Sequence, residues 1–316
     1  MGPLRAPLFI IGCPRSGTTL LLDLLAGTRA FGYVNNSTLG SNLGAAVYRR
    51  NRIYDLPGGD QLVTRRRQIM DVCQMVGPAR SAIDTLLPRA IEPRGFWEDL
   101  IPNFRPEFSS GQAVDPSAED VGVATVLETR SAVAALLHYQ RRDVLLSKYT
   151  DFPRIELMRA IFPGARFVHI TRDAHAVANS YAVEIESGRF GTWAYRDWWA
   201  EAWTKAAREH WLSSGETVLG FSAHNRNHLF GIIEQAAASD HAVHTVSYER
   251  LTADPFATLT EILDFAKVST RSSLDRLIQS RRVVNTNGRW RSRRTSEEIA
   301  LLDAALSGVA SREHTR

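Results

Sequence analysis

With 316 residues, 44% of them hydrophobic and 23% charged, the chain is long enough to bury a sizeable core and too apolar to be disordered. A net charge of +4 and an isoelectric point near 9.3 suit an anionic ligand, but no dense Lys/Arg strip with interleaved aromatics marks a nucleic-acid surface. Two cysteines, Cys13 and Cys73, are too few for a disulfide framework and read as free thiols of a reducing compartment. The N-terminal apolar run, Leu8 to Ile11, is shorter than a signal-peptide core, and no stretch of 18 apolar residues follows, so the expectation is a soluble cytoplasmic protein with no membrane partner.

The first predicted elements are a buried strand over Leu8–Ile11 and a helix that begins near Thr18. Between them lies Gly12-Cys-Pro14-Arg15-Ser16-Gly17, followed by Thr18 and Thr19. Strand, glycine turn and helix start together form a phosphate cradle, because the first helical amides lack partners and carry the positive end of the helix dipole. The spacing of Gly12 and Gly17 mimics a nucleoside-triphosphate P-loop, but Thr18 stands where that loop requires Lys. The cation is instead Arg15, whose planar fork can take two phosphate or sulfonate oxygens. Cys13 lies inside the loop, where alkylation would block a ligand without the thiol being catalytic.

Pro14-Arg15-Ser16-Gly17-Thr18-Thr19 resembles the 5'-phosphosulfate loop of sulfotransferases that use 3'-phosphoadenylyl sulfate (PAPS), in the Arg-bearing form of tyrosylprotein and many bacterial enzymes. Further along, Arg166-Phe-Val-His-Ile-Thr-Arg172-Asp173 running into AHAVANSYA resembles the family's 3'-phosphate motif, with Arg172 and Ser180 eight apart. A strand-end Arg and a Ser two helical turns later can flank one phosphate if strand and helix pack closely, and Ala174, Ala176, Ala178 and Ala182 keep that helix slim. Asp143 to Thr171 is similar to the segment in which a strand-end Lys precedes a helix, then Phe-Pro, then the next strand. Lys148, one of only three lysines, would by that resemblance sit near the transferring sulfuryl group. His244 to Pro255 resembles the family's strand followed by YE-x-L-x-x-x-P, whose Tyr, here Tyr248, borders the cofactor. Phe256 to Ala266 reads as a core-packing helix. Val284 to Arg291 resembles the late loop that closes over the adenosine 3'-phosphate, with Arg289 as its basic residue.

The resemblance spans about Leu8 to Trp290 and departs from the family at three places. The stretch Phe31 to Thr38 holds no carboxylate where the tyrosylprotein type has its base, Lys148 is followed by Tyr149 and Thr150 rather than His, and Glu184 stands where a further Arg is common. A base for the acceptor proton is then sought in IEPRGFWEDL, at Glu92 or Glu98. Asp115-Pro-Ser-Ala-Glu reads as the start signal of a long helix over Asp120–Arg142. The segment Thr192–Leu212 carries five Trp, which either line the acceptor pocket or form a lid, or pack a helical cap. His224 and His228, four apart, lack a third ligand, so no metal site is expected. Arg65–Arg67 and Arg291–Arg294 read as a helix face and a loop, and Pro57–Asp60 and Pro102–Ala118 read as loops within one domain.

The expectation is therefore a single α/β domain over residues 1–316, a P-loop-like parallel sheet flanked by helices with an inserted helical cap. By resemblance it is a PAPS-dependent sulfotransferase: Arg15, Lys148 and one of Glu92 or Glu98 catalytic, Pro14, Arg15, Ser16, Gly17, Thr18, Thr19, Arg172, Ser180, Tyr248 and Arg289 on the cofactor, no metal, and 3',5'-ADP released. The acceptor would be a hydroxyl, less readily an amine, of a small molecule, sugar or peptide. Two alternatives remain: a P-loop kinase-like phosphotransferase, opposed by Thr18 and by the lack of a strand-end Asp for Mg²⁺, and an inactive nucleotide-binding homologue.

Overall fold

A computed structural model describes residues 4–36, 45–59, 87–102, 104–105, 115, 118–119, 121–238, 241–270, 273–279 and 283–307. Its first strand, β1 (Leu8–Ile11), is buried along its whole length, as a run of four apolar residues requires. The chain continues through α1 (Thr18–Gly27), β2 (Gly32–Tyr33), α2 (Ala45–Arg49), α3 (Arg94–Glu98), α4 (Val123–Gln140), β3 (Leu145–Lys148), α5 (Ile155–Ile161), β4 (Arg166–Thr171) and α6 (Ala174–Glu186). There follow α7 (Arg196–Glu201), α8 (Lys205–Ser213), α9 (Val218–Ala238), β5 (Val243–Ser247), α10 (Tyr248–Ala253), α11 (Pro255–Ala266), α12 (Leu274–Gln279) and α13 (Ser296–Ser307). The strands form one parallel sheet in the order β2-β3-β1-β4-β5. Leu8 to Ile10 pair with Leu146 to Lys148 on one side, and Leu8 to Ile11 with Arg166 to His169 on the other.

Alternation along the strands divides the core. Phe9, Ile11, Leu145 and Phe167 point to one face, where α4, α5, α6 and α9 cover them. Leu8, Ile10, Leu146, Val168, Ile170 and Val246 point to the other, against α1, α11 and α12. Burial on both faces is why β1, in mid-sheet, is apolar at every position, while the edge strand β5, Val-His-Thr-Val-Ser, is mixed. The small residues of α6 allow close packing: Ala176, Ala178 and Ala182 meet Leu219 and Ala223 of α9, Trp290, and Leu302 and Ala305 of α13. Helix α11 runs over Pro255–Ala266, with Asp254 capping it through Ala257 N–H, close to the predicted span.

Two predicted elements differ. The helix expected over Asp120–Arg142 is α4, and Asp115 does not start it. Its carboxylate accepts the backbone N–H of Arg154, 39 residues away, at 3.0 Å, and burial lifts its pKa to about 7 against the pull of Arg154. The Trp-rich segment, whose five Trp over about six turns suggest a single helix, is instead a 3₁₀ turn over Gly191–Tyr195 followed by α7 and α8. Thr204 interrupts it, because its side chain caps α8 through Ala207 N–H at 3.2 Å. Trp199, Trp203 and Trp211 are buried in the core, with Trp193 and Trp198 partly buried and packed against it, the packing expected of a helical cap. Arg65–Arg67, Cys73, Asp60 and most of the Pro102–Ala118 stretch lie outside the described residues. Among the described residues, no helix is long and apolar enough to cross a membrane.

Candidate active site

One loop and three chemically distinctive residues stand at the carboxyl ends of four parallel strands. The loop Gly12–Gly17 leaves β1, Lys148 closes β3, Arg172 follows β4 and Tyr248 follows β5. β1 lies in mid-sheet with β3 and β4 on either side, so the four converge where the strand order reverses, the usual crevice for a ligand of an open α/β sheet.

The loop is held by a turn in which Ser16 N–H donates to Cys13 O at 3.1 Å. Arg15 (φ 73°) and Gly17 (φ 107°) both take left-handed backbone. A Cβ on Gly17 would come within 2.7 Å of the Tyr248 ring, so glycine is needed there both for conformation and for space. Helix α1 starts with no side-chain cap, which leaves its first amides directed at the cleft.

Lys148 is 5% exposed. Its ammonium donates to Thr19 Oγ1 at 2.9 Å and lies 3.3 Å from Glu92 Oε2. Glu92 also accepts Thr150 N–H at 3.2 Å and the Thr150 hydroxyl at 2.8 Å, with Arg94 at 3.8 Å. Arg172 stacks on Tyr248, its guanidinium carbon 4.3 Å from the ring centroid. It donates to Thr286 Oγ1 at 2.9 Å, Asn287 Oδ1 at 2.8 Å and Arg15 O at 3.0 Å. The Tyr248 hydroxyl donates to Val284 O at 2.9 Å, which ties the late loop to the sheet. Asp173 caps α6 by accepting Ala176 N–H at 2.8 Å.

These groups border a cleft of about 660 Å³ lined by Pro14, Arg15, Gly17, Thr18, Thr19, Glu92, Lys148, Thr150, Arg172, Tyr248 and Arg289, with Phe190, Val283 and Val284 as apolar wall. A side cavity of about 350 Å³ shares Arg15, Arg172, Thr286 and Arg289 with it and contains Ser180. Arg15 turns toward that side: its Nε donates to Ser180 Oγ at 3.0 Å and its Nη2 lies 3.3 Å from Glu184 Oε1.

Ser16 and Glu98 are not brought into the cleft. Ser16 is buried behind the loop, lining a small void with Cys13, His169 and Arg226. Glu98 closes α3 with Oε1 buried and unpartnered among the described residues. Cys13 is equally enclosed: burial pushes its pKa to about 11, and its thiol points at Arg226 O, 3.6 Å away, so it is not the accessible loop thiol expected. His224 contacts the His210 ring at 3.0 Å, and among the described residues no group of three or more His, Cys, Asp or Glu could hold a metal ion.

Thr150, Phe190 and Arg189 join the site without having been singled out, and Thr286 comes from the late loop already noted. Of the first three, only Thr150 had a sequence signal available, since it stands two residues past the strand-end Lys148 and so near the carboxyl edge of the sheet.

Residues 7–272 match the model of the Sulfotransferase family, and the chain belongs to that family. Among solved structures it is similar to sulfotransferase STF9 from Mycobacterium avium, with 16% identity, 88% of this chain and 68% of that chain covered, and a TM-score of 0.52. Sulfotransferase STF1 from Mycobacterium tuberculosis H37Rv gives 16% identity, coverage of 97% and 78%, and a TM-score of 0.48. The sulfotransferase domain of the Synechococcus PCC 7002 olefin synthase gives 17%, 97% and 90%, and 0.41. The likeness to STF9 establishes a shared fold. A comparison with curated proteins gives no match.

Proposed function

We propose that this sulfotransferase takes its sulfuryl group from PAPS and passes it to a hydroxyl, less readily an amine, of a small molecule, sugar or peptide, and that residues 1–316 act as one domain. What supports this reading is the convergence of Arg15, Lys148, Arg172 and Arg289 on one cleft beside the uncapped amides of α1, with Glu92 against Lys148. A donor set of guanidinium, ammonium, hydroxyl and amide groups suits a ligand carrying several phosphate and sulfonate charges.

PAPS supplies an activated sulfuryl group whose bond to the 5'-phosphate breaks as the acceptor oxygen bonds to sulfur, leaving 3',5'-ADP. Lys148, Thr18, Thr19, Arg15 and the first amides of α1 would hold the phosphosulfate. Arg172, Ser180, Tyr248 and Arg289 would hold the adenosine 3'-phosphate end. Transfer of a nearly detached group depends on alignment and charge stabilisation. Lys148 brings a positive charge to the cleft lining, and its bond to Thr19 fixes its direction. Glu92 takes the acceptor proton, since it is the carboxylate lining the cleft and Thr150 orients it.

The test is transfer of radiolabelled sulfate from PAPS to an acceptor panel by wild type and Glu92→Gln. Labelled product from wild type, with a fall of about 10²-fold or more in Glu92→Gln at unchanged 3',5'-ADP affinity, is the expected result. Transfer undiminished in the variant assigns the base elsewhere, and no labelled product with any acceptor refutes the donor reading.

A further inference from the structure

The side cavity contains an anion of the protein's own. Arg15, Arg172, Arg189, Arg289 and Arg293 line it together with Ser180, and Glu184 is the carboxylate among its lining residues. Ser180 and Glu184 are four apart on α6 and so share one face. The Glu184 side chain is 12% exposed, with Oε1 3.3 Å from Arg15 Nη2 and 3.2 Å from Arg189 Nη2, and Oε2 2.5 Å from Arg189 Nε. One carboxylate thus engages two guanidinium groups, one of them through both of its oxygens.

We propose that Glu184 is an internal competitor for the donor's second phosphate, a residue that sets how tightly the nucleotide is held and how quickly 3',5'-ADP leaves. This rests on the donor reading above. The second phosphate would enter a cavity whose arginines already hold a carboxylate. A phosphate monoester has nearly two charges and three acceptor oxygens, so it can replace a singly charged carboxylate on Arg189, whereas a hydroxyl cannot. The carboxylate stays covalently attached nearby, repels the phosphate and retakes Arg189 as the product departs. Glu184 therefore loosens the nucleotide at the step where a multiply charged product would otherwise be slow to leave. Arg189 changes partner from Glu184 to the phosphate, a role that needs its flexible, 63%-exposed side chain.

The experiment is calorimetric titration of wild type, Glu184→Gln and Arg189→Ala with 3',5'-ADP and with 5'-AMP, joined to stopped-flow dissociation of 3',5'-ADP. Wild type should prefer 3',5'-ADP. Glu184→Gln should bind it roughly tenfold tighter, mostly through slower dissociation, with 5'-AMP unchanged. Arg189→Ala, a change at an exposed side chain that leaves the core intact, should weaken 3',5'-ADP and not 5'-AMP. Unchanged or weaker 3',5'-ADP binding in Glu184→Gln, against a wild type that discriminates, overturns the competitor role. Unchanged binding in Arg189→Ala overturns the exchange of partners. Equal binding of both nucleotides by wild type instead refutes the donor reading itself.

Discussion

The Lys148 ammonium lies 3.3 Å from Glu92 Oε2 and 2.9 Å from Thr19 Oγ1, so a strand-end cation bridges the phosphate loop and the carboxylate proposed as base. The cation is nearly buried, and Thr150 also donates to the carboxylate through its backbone N–H and hydroxyl. Removing the lysine should therefore affect charge stabilisation and the setting of the base together. Lys148→Ala is expected to lower kcat by about 10²-fold or more while 3',5'-ADP affinity falls less than tenfold. Steady-state kinetics beside calorimetry checks this, and equal losses in both would make Lys148 a simple phosphate contact.

Gly17 is fixed by conformation and by the Tyr248 ring. Gly17→Ala places a methyl 2.7 Å from Tyr248 Cδ2 at φ 107° and is expected to cost about 2 kcal/mol of stability. Because the same ring supports Arg172 at 4.3 Å, nucleotide binding should weaken as well. Gly95→Ala, with nothing within 4 Å of the added carbon, is the control: urea unfolding should separate the two variants clearly.

Cys13 should be inert in the folded protein. Burial raises its pKa to about 11 and leaves it 3% exposed, so the thiolate fraction and the access that a disulfide reagent needs are both lacking. In a Cys73→Ser background at pH 8, labelling of Cys13 should occur only as fast as the loop opens or the chain unfolds. Rapid stoichiometric labelling of native protein would contradict the packing behind the loop.

His169 is fully buried on β4, and burial, with Arg226 adding to it, lowers its pKa from 6.5 to about 4. Glu234 Oε1 at 3.3 Å pulls the other way, but its side chain is 47% exposed and solvent screens it. The unfolded chain binds this proton more readily than the folded one, so stability should fall as pH drops from about 6.5 to about 4 and level off below. The contribution is on the order of 3 kcal/mol. His169→Asn should flatten that limb of the stability–pH curve, and an unchanged limb would assign it to other groups.

The phosphate loop was legible because strand, turn and helix start are contiguous, so local propensity alone reports them. Lys148, Arg172 and Tyr248 were legible through the resemblance of their segments to motifs of the family, and parallel strands bring such strand ends together. What escaped depends on contacts between distant segments. Asp115 resembles a helix cap, but its partner is Arg154. The Trp-rich stretch has the composition of one helix, yet Thr204 caps a new one within it. The direction of Arg15 toward Ser180 and Glu184 rather than straight into the loop follows from the packing of α6 against the sheet, which no local pattern encodes.

The most direct measurement is thermal unfolding with 3',5'-ADP, 5'-AMP, ATP with Mg²⁺ and GTP with Mg²⁺ side by side, in wild type and Arg172→Ala. A rise in Tm that is largest for 3',5'-ADP and lost in Arg172→Ala is expected if the cleft and side cavity bind the two phosphorylated ends of a PAPS-type nucleotide. A rise confined to ATP or GTP, or one that survives in Arg172→Ala, would contradict it.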